Sequence, residues 1–178
     1  MQLPEFSKEL LPADWHRLVD KAGIEWVGGN LVEKPSSLET SDVAVWIHTS
    51  IHRSTIDRGI RVIDARFGYR LSDALVYKPS LTVVRANRFH ADSSQPFSTI
   101  PPDLAIEVIA AGWNAWSLES RIRDYLDHGF GAVWIIYPHT KTVYAHTLKD
   151  VRRFGVNDEI DGGEALPGLR CKVADFFA

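Results

Sequence analysis

The feature that most constrains this chain is a short run at residues 104–109, Leu-Ala-Ile-Glu-Val-Ile, in which one carboxylate interrupts apolar side chains. A run whose remaining positions are all apolar is typical of a central strand that is covered on both faces. Burying the carboxylate of Glu107 in such a strand is costly unless a cation or a metal ion compensates its charge. We therefore expect a positive group close to Glu107 in the folded chain.

The residues alone leave two interpretations of Glu107 open: a partner in a structural ion pair, or a catalytic acid. The run leads into a loop and then into a predicted helix that carries Arg121 and Arg123. Because a helix in this position packs back beside the end of the strand, either arginine could reach the carboxylate.

Hydrophobic periodicity predicts three helices and a series of short strands. The predicted helices cover residues 13–22, residues from a capping box at 36–39 to about 57, and residues from a Ser117 cap to about 128. The predicted strands are residues 24–27, 30–33, 60–65, 67–71, 75–77, 81–84, 104–109, 133–136 and 142–147. Residues 91–102 are a predicted polar loop, and the tail from residue 161 is predicted to form turns and a short apolar docking segment.

This order of elements predicts an α/β single domain, with a central mixed β-sheet flanked by helices. We assign residues 24–178 to this domain and residues 1–23 to an N-terminal helical extension. At about 150 residues per domain, the length of 178 residues fits one domain. The hydrophobic fraction of 45% is enough for a sizeable core.

Charge and cysteine content exclude several classes of protein. A net charge of −3 argues against a broadly cationic protein that covers nucleic acid. It does not exclude an enzyme that binds DNA through a local concentration of positive charge. The single cysteine, Cys171, cannot form an intrachain disulfide or a cysteine-based zinc site. Without a secretory signal pattern or an apolar stretch of about 20 residues, the sequence predicts a cytoplasmic protein with no membrane partner.

Two pairs of side chains are further candidates for function. His48 and His52 are four residues apart on a predicted helix, which is the spacing that places two imidazoles on one face for a metal ion. The alternative is two half-exposed histidines, since no third ligand has a recognisable spacing. Trp113 and Trp116 could stack on a nucleic-acid base or close the edge of the core.

Several segments, in order along the chain, carry a family resemblance. They are GNLVEKP at residues 29–35, FGYRL at 67–71, PSLTVV at 79–84, PDLAIEV at 102–108, LPGL at 166–169 and VADFF at 173–177. In these segments the chain resembles the Uma-type family of "putative restriction endonucleases", a branch of the PD-(D/E)XK nucleases. The resemblance covers residues 26–177 and implies a restriction-endonuclease-like fold.

The resemblance also implies a chemistry: hydrolysis of DNA with Mg²⁺ or Mn²⁺. In this family one metal-binding carboxylate comes from a Pro-Asp position and one from the strand glutamate, with a lysine nearby to activate water. The strand glutamate corresponds to Glu107, the implied metal ligand. The Pro-Asp carboxylate corresponds to Ser80, and the lysine corresponds to Arg121.

Three departures from the family pattern indicate a degenerate active site. Ser80 lacks the carboxylate that a hard metal ion prefers, and Arg121 stays protonated and cannot act as a general base. The family's hairpin glutamate is Asn30 here, and no lysine occurs between residues 79 and 140. We therefore predict an ion pair or hydrogen bond between Glu107 and Arg121 in the place of the former site.

The residues and the resemblance together leave two functions open. The first is a metal-dependent endonuclease whose activity is weak or absent. The alternative is a non-catalytic nuclease-fold module for binding or assembly, as a homodimer or as a partner of an active paralogue.

Overall fold

The computed structural model describes residues 21–56, 58–89 and 97–178. The helices are α1 (Leu38–Thr55) and α2 (Ala115–Asp127). The strands are β1 (Ile24–Val27), β2 (Asn30–Glu33), β3 (Ile60–Asp64), β4 (Gly68–Ser72), β5 (Leu75–Tyr77), β6 (Leu81–Arg85), β7 (Phe97–Ser98), β8 (Leu104–Val108), β9 (Ala132–Tyr137), β10 (Thr142–His146), β11 (Val151–Phe154), β12 (Glu159–Gly162) and β13 (Leu166–Lys172). In these described parts of the chain, no helix is long and apolar enough to cross a membrane.

The largest sheet is mixed, and β8, the strand that contains Glu107, lies inside it. Its strand order is β11-β10-β9-β8-β6-β3, with β8 and β9 parallel and the other neighbours antiparallel. Every residue of β8 is buried. The prediction of a central strand at residues 104–109 is therefore confirmed.

The remaining strands form two further sheets rather than joining the first. A five-stranded sheet has the order β2-β1-β5-β4-β7, and β12 pairs with β13 alone. The predicted hairpin at Gly28 and Gly29 is present, and both glycines have positive φ angles of 58° and 82°. The sequence predicted one mixed sheet, which is wrong in this respect. The choice of partner strand depends on contacts between distant segments, which a local hydrophobic pattern does not encode.

Two apolar clusters cover the two faces of the six-stranded sheet. One cluster includes Ile47 and Ile51 of α1, and the other includes Leu118 and Tyr125 of α2. Since side chains alternate along a strand, Ile106 belongs to the cluster on the α1 side and Glu107 points to the opposite face. Glu107 is thereby directed towards α2.

Both helices begin at a different capping residue from the predicted one. The capping box of α1 joins Ser37 and Thr40 rather than Ser36 and Glu39. The cap of α2 is Asn114, whose Oδ1 accepts hydrogen bonds from the backbone N–H groups of residues 116 and 117, so Ser117 lies inside the helix. The predicted stop at Gly129 is confirmed by its φ of 85°.

The two ends of the chain and the predicted polar loop differ in how far the structure describes them. The tail forms the β12–β13 hairpin and a 3₁₀ helix at Val173–Phe177, where Phe176 is fully buried, so the apolar docking segment is present.

The polar loop predicted at 91–102 includes the short strand β7, while its residues 91–96 lie outside the described residues. So do most of the predicted helix at 13–22 and most of the extension at 1–23.

Candidate functional site

Glu107 is fully buried, and both of its carboxylate oxygens accept several hydrogen bonds. Oε1 accepts from the Tyr125 hydroxyl at 2.7 Å and from Nη1 of Arg121 at 3.2 Å. Oε2 accepts from Nζ of Lys34 at 3.2 Å and from both the backbone N and the Oγ of Ser80, each at 3.2 Å. Five donors from four residues therefore surround this carboxylate.

Arg121 joins Glu107 to a second buried carboxylate, Glu25 of β1. Its Nη1 donates to Oε1 of Glu25 at 2.8 Å as well as to Glu107, and its Nη2 donates to Oε2 of Glu25. The predicted contact between Glu107 and Arg121 is confirmed, but the bidentate partner of the guanidinium is Glu25. Arg123, the other candidate, forms an exposed pair with Glu119.

Aromatic rings hold the guanidinium of Arg121 in place. Its Cζ lies 4.1 Å from the ring centroid of Tyr77 and 5.0 Å from that of Trp113, distances at which a cation is attracted to a ring face. Trp116 is 79% exposed and does not close the core, so that interpretation is wrong for this residue. Trp113 is partly buried and packs against the cluster on the α2 side.

Glu25 is a site residue that the sequence pattern did not identify, because the family resemblance places the acidic position of this hairpin at Asn30. Asn30 is exposed and donates to the backbone oxygen of Gly28, so it has no part in the site. A signal was available: Glu25 stands between Ile24 and Trp26 in a predicted strand, as Glu107 stands between apolar residues in its own strand. A charged residue inside an apolar strand requires a partner in both cases.

Lys34 is a second site residue that was not predicted, because it lies far along the chain from position 121, where the resemblance places the lysine. Its backbone N–H donates to the oxygen of Gly23 at 2.8 Å, which extends the β1–β2 hairpin by one pair and fixes the course of the chain. Its Nζ then donates to the backbone oxygen of Lys78 at 2.5 Å as well as to Glu107. No pattern in the sequence indicates that this lysine enters the site.

The ion pairs of the site join two acidic side chains to two basic ones. Among the described residues, Lys34 and Arg121 form the ion pairs with the carboxylates of Glu25 and Glu107. Two negative charges therefore face two positive charges in a site from which water is largely excluded. A nearby lysine, Lys78, contributes its backbone N–H to Glu25 at 2.7 Å and directs its Nζ to the backbone oxygen of Lys21 at 2.8 Å.

The network keeps Glu107, Arg121 and Tyr125 in their ordinary charge states at neutral pH. Burial by itself would raise the pKa of Glu107, but the charges of Lys34 and Arg121 hold that pKa below its usual value. Burial likewise opposes the charge of Arg121, yet Glu25 raises its pKa well above the usual value. Burial and the charge of Glu107 raise the pKa of Tyr125, which stays a donor. None of these three groups is suited to accept a proton from water near pH 7.

The lowered pKa of Glu107 predicts a specific dependence of stability on pH. A carboxyl with a lower pKa in the folded state stabilises the fold above its unfolded pKa of about 4.5, and this contribution is lost as the pH falls through the folded pKa. We expect the urea midpoint of the wild type to fall as the pH is lowered below about 4.5, and that of Glu107→Gln to fall less. Parallel curves for the two proteins would contradict the prediction.

The residues at this site do not fit a divalent metal ion. Nη1 of Arg121 already lies between the oxygens of Glu25 and Glu107, and the Ser80 hydroxyl donates to Glu107 and accepts from the backbone N–H of Val108 at 3.1 Å. Among the described residues no group of three or more histidine, cysteine or acidic side chains could hold a metal ion. The role of metal ligand that the resemblance implies for Glu107 therefore has no support in this arrangement.

The histidine pair and Asp103, an acidic residue near Glu107 in the chain, do not form a metal site among the described residues. His48 and His52 are both exposed, with their rings stacked 6.1 Å apart, and no third ligand lies with them in the described part of the chain. Asp103, at the start of the same buried segment as Glu107, forms ion pairs with Arg85 and Arg88. It belongs to a separate structural ion-pair cluster.

Comparisons with known proteins agree with this fold. A model of the Uma2 family, described as "Putative restriction endonuclease", matches residues 12–174. The chain is similar to the crystal structure of a "putative nuclease belonging to DUF820" from Anabaena variabilis, with a TM-score of 0.76, 17% identity, and coverage of 92% of this chain and 94% of that chain. No curated protein matches the chain. The predicted α/β, restriction-endonuclease-like fold is confirmed, and the chain belongs to the Uma2 family of "putative restriction endonucleases".

Proposed function

We propose that this protein is a nuclease-fold DNA-binding module whose hydrolytic centre is closed by an internal ion-pair network. The observation that carries the proposal is the position of Nη1 of Arg121, within hydrogen-bonding distance of one oxygen from Glu25 and one from Glu107. A guanidinium in that position, together with the ammonium of Lys34, neutralises the two carboxylates that would otherwise attract a metal ion.

The chemistry of phosphodiester hydrolysis supports this proposal. The reaction needs a cation to stabilise the charge that develops on the phosphate, and a base to activate water. Arg121 cannot lose its proton at neutral pH, and the ammonium of Lys34 is held by Glu107 and a backbone oxygen. Both carboxylates are fully buried, so a phosphate group cannot reach them without displacing part of the network.

DNA is the partner that membership of a restriction endonuclease family favours. The exposed indole of Trp116, near the N-terminus of α2, is a candidate for stacking on an unpaired base. Fluorescence anisotropy with single-stranded and duplex DNA tests this part, and Trp116→Ala should weaken binding to the single strand. Self-association in ultracentrifugation without DNA binding would favour the assembly alternative instead.

The decisive experiment for the closed centre is a plasmid-nicking assay with Mg²⁺ or Mn²⁺, combined with calorimetric titration of each metal. We expect no cleavage that depends on Glu107 and no heat of metal binding in the wild type. Glu119→Gln, on the exposed face of α2, is the matched control for Glu107→Gln. Metal-dependent cleavage by the wild type and the control that disappears in Glu107→Gln would refute the proposal.

A further inference from the structure

We propose that the open face of strands β9, β10 and β11 binds an unpaired base of single-stranded DNA. The base stacks against Tyr144 and Tyr137, and Arg153 contacts the adjoining phosphate. This inference rests on the proposed function, in which the protein binds DNA without cutting it. It goes further because it assigns a surface to the DNA and states that the preferred form of the DNA is the single strand.

A row of paired residues places this surface on the same face of the sheet as the closed centre. Glu107 of β8 is paired with Ile135 of β9. Ile135 is paired with Tyr144 of β10, and Tyr144 is paired with Arg153 of β11. Residues that are paired on neighbouring strands direct their side chains to the same face. Since neighbouring strands are about 4.8 Å apart, the backbone of Tyr144 lies about 10 Å from that of Glu107.

The surface contains a cleft with aromatic walls. The cleft has a volume of about 300 Å³ and is lined by Tyr137, Thr140, Thr142, Tyr144 and Arg153. Both tyrosines are partly exposed, and their ring centroids are 5.8 Å apart with an angle of 83° between the ring planes. Two nearly perpendicular rings form a corner, in which a planar base can stack on one ring and meet the other ring at its edge. Such stacking tolerates any base sequence, because every base has a π face.

Arg153 gives the cleft a positive charge that no described residue neutralises. The residue is exposed, and its side chain forms no ion pair or hydrogen bond with the described residues. None of the five residues that line the cleft is acidic. The preceding residue, Arg152, lies on the opposite face of the strand and pairs with Asp161. A free guanidinium beside aromatic rings is complementary to a nucleotide, which joins a planar base to an anionic phosphate.

Further aromatic side chains lie at the same end of the sheet as the cleft. The backbone N–H of Ile109 donates to the oxygen of Ile136 at 2.9 Å, so the loop that follows β8 leaves the sheet beside Tyr137. This loop carries Trp113, which packs against the same apolar cluster as Tyr137, and it leads to the exposed Trp116. A single strand whose base occupies the cleft therefore has more than one ring on which its neighbouring bases can stack.

The test measures the binding of a fluorescent oligothymidylate of about 12 nucleotides by fluorescence anisotropy. The proteins are the wild type, Tyr144→Ala, Tyr144→Phe and Arg153→Ala. We expect Tyr144→Ala to bind about tenfold more weakly because a stacking ring is lost, and Tyr144→Phe, which keeps the ring, to bind as the wild type does. Arg153→Ala should also bind more weakly, and its slope of log affinity against log salt concentration should be smaller by about 0.7, the value for one phosphate contact.

Two controls separate the base from the phosphate and the cleft from the rest of the strand. Arg152→Ala removes the same residue type from the opposite face of β11 and should leave both the affinity and the salt slope unchanged. An oligonucleotide of abasic sites keeps the phosphates and lacks the bases. Tyr144→Ala should bind it as the wild type does, whereas Arg153→Ala should still bind it more weakly. Duplex DNA, whose bases are paired and stacked on one another, should also be bound equally by the wild type and Tyr144→Ala.

Three results would overturn the inference: single-strand binding that neither Tyr144→Ala nor Arg153→Ala weakens, an equal loss in Arg152→Ala, or an equal loss of duplex binding in Tyr144→Ala. Arg153→Ala changes an exposed side chain, so its salt slope decides the matter if circular dichroism shows that Tyr144→Ala is unfolded. Each of these results leaves the proposed function standing. A failure of the closed centre would appear instead as wild-type cleavage that depends on Glu107.

Discussion

Replacing Arg121 with alanine is expected to lower the free energy of unfolding by about 3–5 kcal/mol, the range found when one partner of a buried ion pair is removed. The substitution leaves Glu25 without its bidentate partner and leaves Glu107 with Lys34 as its remaining ion-pair partner among the described residues. It also removes the cation that stacks on Tyr77. Urea denaturation followed by circular dichroism measures the loss.

Arg123→Ala is the matched control, because the residue type and the helix are the same and only the burial differs. Arg123 pairs with Glu119, and both side chains are about two-thirds exposed. Exposed pairs of this kind contribute about 0.2–1 kcal/mol. A loss for Arg121→Ala no larger than that of the control would mean that the network does not stabilise the fold.

Replacing Glu107 with glutamine should have an effect of similar size, again about 3–5 kcal/mol. The amide keeps the shape of the carboxylate but exchanges one acceptor oxygen for a donor NH₂ group. Because donors surround both oxygens of Glu107, the NH₂ group faces either Tyr125 and Arg121 or Lys34 and Ser80. It also leaves Lys34 without its ion-pair partner among the described residues.

The thermal or urea unfolding of Glu107→Gln should be compared with that of Glu119→Gln, which changes an exposed glutamate on α2. We expect the surface variant to stay within about 0.5 kcal/mol of the wild type. If Glu107→Gln were equally harmless, a carboxylate at this position would not be required, and the ion-pair explanation of the site would be wrong.

Much of the fold could be predicted because it depends on local patterns. The apolar run around Glu107 identified the central strand, Gly28 and Gly29 identified a hairpin, and Gly129 identified the end of α2. The capping residues were misplaced by one to three positions, since serine and asparagine both cap helices and the sequence offers each near these ends. The division of the described strands into three sheets could not be predicted, because strand pairing joins segments that are far apart in the chain.

The candidate site likewise contains one contact that could be predicted from the sequence and two residues that could not. The contact between Glu107 and Arg121 could be predicted, because a strand and the helix that follows it pack together and a buried carboxylate needs a cation. Glu25 and Lys34 belong to a hairpin more than 70 residues earlier in the chain, as the separation of 73 between Lys34 and Glu107 illustrates. Their arrival at the site depends on how the second sheet packs on the first.

The sequence by itself thus predicted that a carboxylate is buried in the central strand and that a cation from the following helix, Arg121, lies beside it. Only the tertiary structure decided how the charges are balanced. It brought a second carboxylate and a second cation from the N-terminal hairpin to Glu107, so that the ion pairs of the described residues join two carboxylates to two cations. The physical reason is that electrostatic compensation depends on distance in space, whereas the sequence records only distance along the chain.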